Sequence, residues 1–362
     1  MPNPRPCVCC AVPPHMLRKL ATHPDPHVGR AARGTLAATA ALRTGRQAPA
    51  HPAKPGGDAS GARTIFDMRT GQSYLAAIPR RAEGQRAVRD VAINRAFDSI
   101  GTTRRFCREV FGRNSLDGAG MELLGYVHYN THYSNAVWNG HVMLFGDGDG
   151  KIFGDFTGAL DIVAHELAHG VIGHSAGLEY HNEPGALNES IADVFASLVK
   201  QWSAGQTAAA ADWLIGTQVF TPAIAGDAIR SLKAPGRAYN NKIFGKDPQV
   251  AHMRHYAHMP DTPDGDNGGV HVNSGIPNKA FYLFATHLGG HAWEAAGLIW
   301  YEALLVCGKH SDFQFFADAT FMKAGQLYGT NSQQQKAVLA AWGEVGIAVR
   351  VSPPVRAPGQ AS

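Results

Sequence analysis

Asp161-Ile-Val-Ala-His165-Glu166-Leu-Ala-His169-Gly-Val171 is the stretch on which the reading of this 362-residue chain turns. On a helix, residues four apart stack on one face, so His165 and His169 can reach one cation while Glu166 stands beside that face. Two neutral imidazoles and a carboxylate make a zinc set with a fourth position left for water. Ile162, Val163 and Ala164 bury the same helix on one side, where two unligated histidines would be awkward. The alternative is a helix with two incidental histidines. The third ligand expected is Glu189, in Asn188-Glu189-Ser-Ile-Ala-Asp193, which opens the next helix after a Gly177 to Gly185 connection long enough to double back. Asp193 shares the Glu189 face, so one carboxylate can bind metal while the other accepts the free ring N–H of His165. An ordinary acidic surface stripe is the alternative for that pair.

Working outward, the segments before the motif carry strand signals and those after it are helical. Arg63 to Gly71 alternates like a strand ending at a turn, a helix is expected over Gln85 to Phe111, and Leu123–Tyr129 and His141–Phe145 are strand candidates. Asn135 to Gly140 between them reads as a turn-rich connection. Helices are expected over Asp161–His174, Asn188–Trp202, Asn278–His287, Ala292–Cys307, Phe313–Tyr328 and Ser332–Val345. The Ala292–Cys307 segment is apolar nearly all round and belongs in a core. Residues 1–60 differ: dense in Pro, Ala and Arg, they read as a leader with one short helix and a flexible linker.

Composition excludes several classes. With 17% charged and 44% hydrophobic residues the chain folds, and no run reaches the eighteen apolar residues of a membrane span. The net charge of +4 supplies no basic stripe for nucleic acid. Five cysteines, three of them at Cys7, Cys9 and Cys10, do not form the framework of a disulfide-stapled domain. No Sec signal is visible at the N-terminus. Residues 1–60 hold 8 Lys/Arg and 2 Asp/Glu, which leaves 25 against 27 for residues 61–362, so the basic excess sits on the leader.

Four blocks, Asp161–Val171, Ala176-Gly-Leu-Glu-Tyr180, Gly185–Asp193 and Asn267-Gly-Gly-Val-His271-Val-Asn-Ser-Gly275, together resemble the thermolysin family of zinc endopeptidases over about residues 62 to 350. The resemblance implies an α+β, two-lobed zincin, with a strand-rich N-terminal lobe, a mainly helical C-terminal lobe and the zinc helix between them. The expected divisions are residues 1–60 as propeptide and linker, 61–174 as a mixed domain ending in the zinc helix, 175–350 as a helical domain and 351–362 as a tail. By the same resemblance His165, His169 and Glu189 bind one Zn²⁺, Glu166 is the general base, Tyr180 and His271 donate to the oxyanion, and Asp266 orients His271. Arg230 would hold a substrate carbonyl, and Asn135 with the backbone of Ala136 would bind the peptide as an added strand. Phe153, Phe156, Ile162, Ile215, Val219 and Ile229 would line a pocket preferring a hydrophobic residue after the scissile bond; plain core packing is the alternative.

The chain departs from the pattern in two places. The family's double calcium site is matched by Asp161 and Asp212, but Lys200, Leu214 and Thr217 replace other acids, so that site is expected to be lost, with Lys200 pairing Asp161 and Asp212 instead. Asp227 with Thr221 resembles part of a further calcium site of the family, where a residual Ca²⁺ is expected. Asp147-Gly-Asp-Gly150 opens like an EF-hand, yet its twelfth position is Gly158, so it reads as a hairpin turn. The leader's Cys10-Ala-Val-Pro13-Pro14-His-Met-Leu17 resembles the short propeptides of the protealysin-like branch, which would hold the enzyme closed until cut near residues 48 to 62. One of Cys7, Cys9 and Cys10 could supply a thiolate to the zinc; an oxidisable tail is the alternative.

The expected function is a zinc endopeptidase made as a proenzyme and cutting before hydrophobic residues. The rivals are an exopeptidase with the same zinc chemistry and a non-catalytic binding or inhibitory protein on the same fold. Expected partners are peptide or protein substrates, the chain's own propeptide and a proteinaceous inhibitor, with no nucleic acid, no membrane and a monomeric state. Family resemblance favours secretion; the missing signal leaves a cytoplasmic location as the alternative.

Overall fold

The structure, a computed structural model, describes residues 8–44, 61–224 and 228–350. It forms two compact units: Met1–Val171 with Gly216–Ile229 and Asn241–Gly245, and Ile172–Ile215 with Arg230–Asn240 and Lys246–Ser362.

In the first unit the elements run β1 (Cys9–Cys10), α1 (Pro14–Ala21), α2 (Pro26–Arg43), β2 (Arg63–Asp67), β3 (Ile78–Ala82), α3 (Val91–Phe111), β4 (Leu123–Val127), β5 (Ala136–Trp138), β6 (Met143–Phe145) and α4 (Leu160–Gly173), whose last two residues fall in the second unit. The strands make one six-stranded sheet in the order β1-β5-β6-β4-β2-β3. β2, β4 and β6 run parallel, and α3 packs on β2 and β4. α3 starts six residues later than expected, because Asp90 caps it through Ala92 N–H at 2.9 Å and Asn94 holds both backbone groups of Val88 outside the helix. It stops at Gly112, whose φ of 64° is left-handed.

Three expectations for this unit need correction. Asn135–Gly140 is not merely a connection: Ala136–Trp138 is a strand, too short to show alternation and buried on both faces. The leader holds two helices rather than one. α2 starts at Pro26 behind the Asp25 cap, and between Val28 and Leu42 its buried face is made of Gly29, Ala31, Ala32, Thr35, Ala38 and Thr39, small residues that give little hydrophobic contrast in the sequence. The linker residues 45–60 lie outside the described residues. Asp147–Gly150 is a turn but joins no paired hairpin strands, since Phe153 bridges Phe220 instead. Asp149 Oδ1 accepts the N–H groups of Lys151, Ile152 and Phe153 at 2.6–3.1 Å, and Asp147 Oδ1 lies 2.7 Å from His128 Nδ1.

His128 bridges two elements, with Asp90 at 3.1 Å on its other nitrogen. The hydrogen bond and charge of Asp147, backed by Asp90, outweigh burial and raise the imidazole pKa to about 9. A raised cationic pKa contributes stability that is complete below the ordinary imidazole range and is lost as pH rises through about 9. After discounting for solvent screening this is about 1–2 kcal/mol. Urea unfolding at pH 6.5 and pH 9 should show a larger loss on alkalinisation for the native chain than for His128→Gln; equal losses would remove the charge from this bridge.

The second unit is mainly helical: α5 (Asn182–Ala204), the short strands β7 (Leu214–Ile215) and β8 (Arg230–Ser231), then α6 (Asp266–Asn273), α7 (Gly275–Leu288), α8 (Ala295–Leu304), α9 (Phe313–Tyr328) and α10 (Gln333–Glu344). α5 begins six residues before the expected Asn188, since the first-turn N–H groups have no helical partners and Pro184 and Gly185 cost little there. α8 is shorter than expected and is buried on most of its surface; its core includes Trp300, stacked on Trp342 of α10 with ring centroids 5.4 Å apart. No described helix is long and apolar enough to cross a membrane.

Candidate active site

α4 is buried almost throughout, with His165 and Glu166 at 0% exposure and His169 at 4%. The two imidazoles meet edge-on at 88° with their Nε2 atoms 3.1 Å apart. Two ligands at zinc distance on tetrahedral directions would stand about 3.3 Å apart, so the pair already has ligand spacing, and the donor set of imidazole and carboxylate suits zinc. Glu166 offers a carboxylate within 4.8 Å of both rings. Its Oε2 accepts the backbone N–H of Trp138 at 2.8 Å, which ties the carboxylate to β5. Gly170 makes that approach possible: a Cβ there would lie 2.7 Å from Leu116 and 3.2 Å from the Trp138 ring.

The edge of β5 opposite β6 is taken by the leader. β1 pairs antiparallel with it, Cys9 opposite Trp138 and Cys10 opposite Val137, and Ala11 N–H donates to Ala136 O at 3.2 Å. Asn135 holds Val12 through both amide atoms, accepting its N–H at 2.9 Å and donating to its carbonyl at 3.2 Å. Asn135 and Ala136, expected to hold a peptide as an added strand, thus hold residues 11–12 of the same chain. Cys10, Ala38 and Leu42 of the leader join Tyr126, Tyr129, Tyr133 and Val137 in one apolar cluster, and Thr39 Oγ1 lies 2.7 Å from Tyr133 OH. Lys151 pairs with Asp25 at the rim. Arg43 donates to Cys10 Sγ at 3.4 Å inside that cluster, and strand alternation turns Cys9 to the opposite face. Cys7 lies outside the described residues.

Of the residues expected to line a specificity pocket, Phe153, Phe156, Ile162, Val219 and Ile229 lie in the first unit and Ile215 in the second, and none is more than 1% exposed. Phe153 stacks on Phe220 and meets Phe156, with centroids 5.3 and 5.7 Å away.

In the second unit Glu189 is fully buried. Tyr180 OH donates to its Oε1, and its Oε2 lies 3.5 Å from His271 Nε2, which in turn lies 3.4 Å from Tyr180 OH. Asp266 accepts from the Nδ1 side of His271 at 2.7 Å and from its backbone N–H at 2.9 Å. This clamp depends on Asp266, Asn267, Gly268 and Gly269 all having φ between 51° and 84°. A Cβ on Gly268 would meet Asn182 Oδ1 at 2.2 Å, which explains the glycine there. Burial disfavours the charged ring, but Asp266 and Glu189 outweigh it and raise the pKa of His271.

Arg230 and Asp193 form a buried pair, Nε to Oδ2 and Nη2 to Oδ1 both at 2.8 Å, on a guanidinium 1% exposed. Burial opposes the charge, and the Asp193 carboxylate overcomes it, raising the arginine pKa above its usual value. Asn278 Nδ2 donates to the same carboxylate at 2.9 Å. Neither partner of Asp193 was expected from the sequence. Lys200 Nζ lies 3.0 Å from both oxygens of Asp212, as expected for that half of the calcium replacement. Asp161 Oδ2 accepts the N–H of Gly216 at 3.1 Å. Asp227 lies outside the described residues.

A buried helix with converging imidazoles and an anchored carboxylate, on an α+β framework of this order, marks a metallopeptidase. Residues 85–173 match the description "Thermolysin metallopeptidase, catalytic domain" and residues 176–347 match "Thermolysin metallopeptidase, alpha-helical domain". The chain belongs to the thermolysin family of metallopeptidases. It is 44% identical over 349 residues to an extracellular metalloprotease of Pectobacterium carotovorum subsp. carotovorum, covering 95% of this chain and 97% of that one. Protease PrtS of a Photorhabdus species is 47% identical over 290 residues, 80% of this chain and 77% of its own. The solved precursor of protealysin, a metalloproteinase from Serratia proteamaculans, superposes with a TM-score of 0.84 at 45% identity, over 94% of this chain and 100% of that chain. The chain is a zinc metalloendopeptidase made as a proenzyme.

Proposed function

We propose that His165, His169 and Glu189 hold one Zn²⁺ and that this chain cleaves peptide bonds on the N-terminal side of hydrophobic residues. The observation that carries the reading is the 3.1 Å convergence of two buried imidazole nitrogens beside an anchored carboxylate. When bound, zinc supplies Lewis acidity to water and to the scissile carbonyl. Glu166, fixed by the Trp138 N–H, takes a proton from the attacking water and returns it to the leaving amine. Tyr180 and His271 donate to the oxygen on which charge develops, and Asp266 holds the His271 ring in place for that donation. Asp193, neutralised by Arg230, is the carboxylate assigned to the free N–H of His165, and Arg230 is assigned to a substrate carbonyl. Phe153, Phe156, Ile162, Ile215, Val219 and Ile229 are assigned to selecting the residue after the cut.

In this reading residues 1–60 are the propeptide and linker, 61–174 and 175–350 the two peptidase domains, and 351–362 a tail. The leader is inhibitory because residues 11–12 use the groups of Asn135 and Ala136 that a substrate strand needs. Export follows the relative named an extracellular metalloprotease. A protein inhibitor and a monomeric state belong to the same proposal. Zinc analysis together with casein cleavage in the presence and absence of a chelator separates this reading from a non-catalytic binding protein: a metal-loaded, mature chain that leaves casein intact would support the latter.

Calcium should matter little beside α4. With Lys200 on Asp212, the ammonium occupies the carboxylate a calcium ion would need. Melting temperatures in EDTA with zinc restored and in millimolar calcium should agree within about 2 °C; a rise of about 5 °C or more with calcium would contradict the replacement.

A further inference from the structure

Residues 231–260 carry five Lys/Arg and one Asp, within a segment, 61–362, that overall holds 25 against 27. This stretch of sequence is therefore basic against an acidic excess in the rest of residues 61–362. In the second unit the exposed side chains of Arg237 and Lys246 from this stretch, with exposed His255, line a cavity of about 480 Å³. The single acid there, Asp247, does not balance them at the mouth. It is 3% exposed, and its oxygens accept the N–H groups of Gly236, Ala238 and Gln249 at 2.9, 3.1 and 3.0 Å. Burial, opposed by those three N–H groups, pushes its pKa up.

The cavity is built onto the segment that carries His271. Gln249, on its floor, donates to the His271 carbonyl at 2.9 Å and to Ser274 Oγ at 3.1 Å, and Val250 N–H donates to Val272 O at 3.2 Å. A volume of this order suits a ligand with several groups rather than one small oxyanion. Two exposed cations and an imidazole around such a space favour a polypeptide segment bearing two or three carboxylates, since like charges gathered in a concave site attract the opposite sign before contact.

We propose that this cleft is an exosite for acidic stretches of polypeptide substrates, reading Asp/Glu residues outside the hydrophobic position next to the cut. The word substrate rests on the endopeptidase reading; the binding itself does not.

The test uses the full-length Glu166→Gln protein, which cannot consume its ligand, and two fluorescent eight-residue peptides identical except that one has three Glu and the other three Gln. Fluorescence anisotropy at low and at physiological salt gives the affinities. The Glu peptide should bind at least fivefold more tightly than the Gln peptide, and the preference should shrink with salt. Adding Arg237→Ser and Lys246→Ser should abolish the preference, while Arg86→Ser with Arg89→Ser, an equal loss of exposed charge outside the cleft, should leave it intact. Every protein compared carries the same basic leader, so the difference belongs to the cleft. Equal binding of the two peptides, or an undiminished preference in the Arg237→Ser/Lys246→Ser protein, overturns the exosite. An unmutated chain with no peptidase activity would instead overturn the functional reading and leave this result standing.

Discussion

Replacing Glu166 by Gln is expected to leave zinc bound and to lower turnover by about a hundredfold or more, within the range for loss of a general base. The amide keeps the shape of the side chain and can still accept the Trp138 N–H that fixes Oε2, so the substitution isolates proton transfer from position. It also leaves the imidazole pair of His165 and His169 untouched. The measurement is kcat on a peptide with a hydrophobic residue after the scissile bond, with metal content determined on the same sample. Near-normal turnover with one zinc per chain would sink the assignment, and loss of zinc would show that Glu166 is a ligand.

The second large effect is on stability. Arg230→Met should destabilise the protein by about 3–5 kcal/mol, because it leaves the fully buried Asp193 carboxylate with Asn278 but without its cation. The added change Asp193→Asn should recover much of that loss by removing the stranded charge, although the single variant Asp193→Asn is itself destabilising. Urea unfolding at pH 7, carried out in the Glu166→Gln background to prevent self-digestion, reads all four proteins. A loss below about 1 kcal/mol for Arg230→Met would mean that water already reaches this pair.

Legibility in the sequence followed the range of the interaction. The grouping of His165, Glu166 and His169 was readable because it is local, two imidazoles one helical turn apart on one face with a carboxylate beside them. Glu189, Tyr180 and His271, which the structure brings together, were singled out as members of short blocks. The pairing of Arg230 with Asp193 spans 37 residues and has no spacing rule, so each was named but not joined to the other. β5 escaped because three buried residues show no period, and its function resides in backbone groups: the Trp138 N–H toward Glu166 and the Ala136 carbonyl toward the leader. α2 escaped because Ala and Thr bury a helix face without raising its hydropathy. Asn135 was expected to meet an added strand of substrate; that residues 11–12 of the leader occupy it follows only from the paired strands.

The most direct test of a zinc endopeptidase restrained by its own leader is to follow the mass and N-terminal sequence of purified full-length protein over time, with and without a zinc chelator, for the native chain and for Glu166→Gln. The account predicts self-cleavage within residues 45–60. Gly61 N–H is already bound to Gly120 O at 3.1 Å and Ala62 O to Leu123 N–H at 2.8 Å, so the mature chain is held from that point on. It also predicts that the chelator and the Glu166→Gln change each stop the reaction. Cleavage continuing at an unchanged rate under either condition would contradict it.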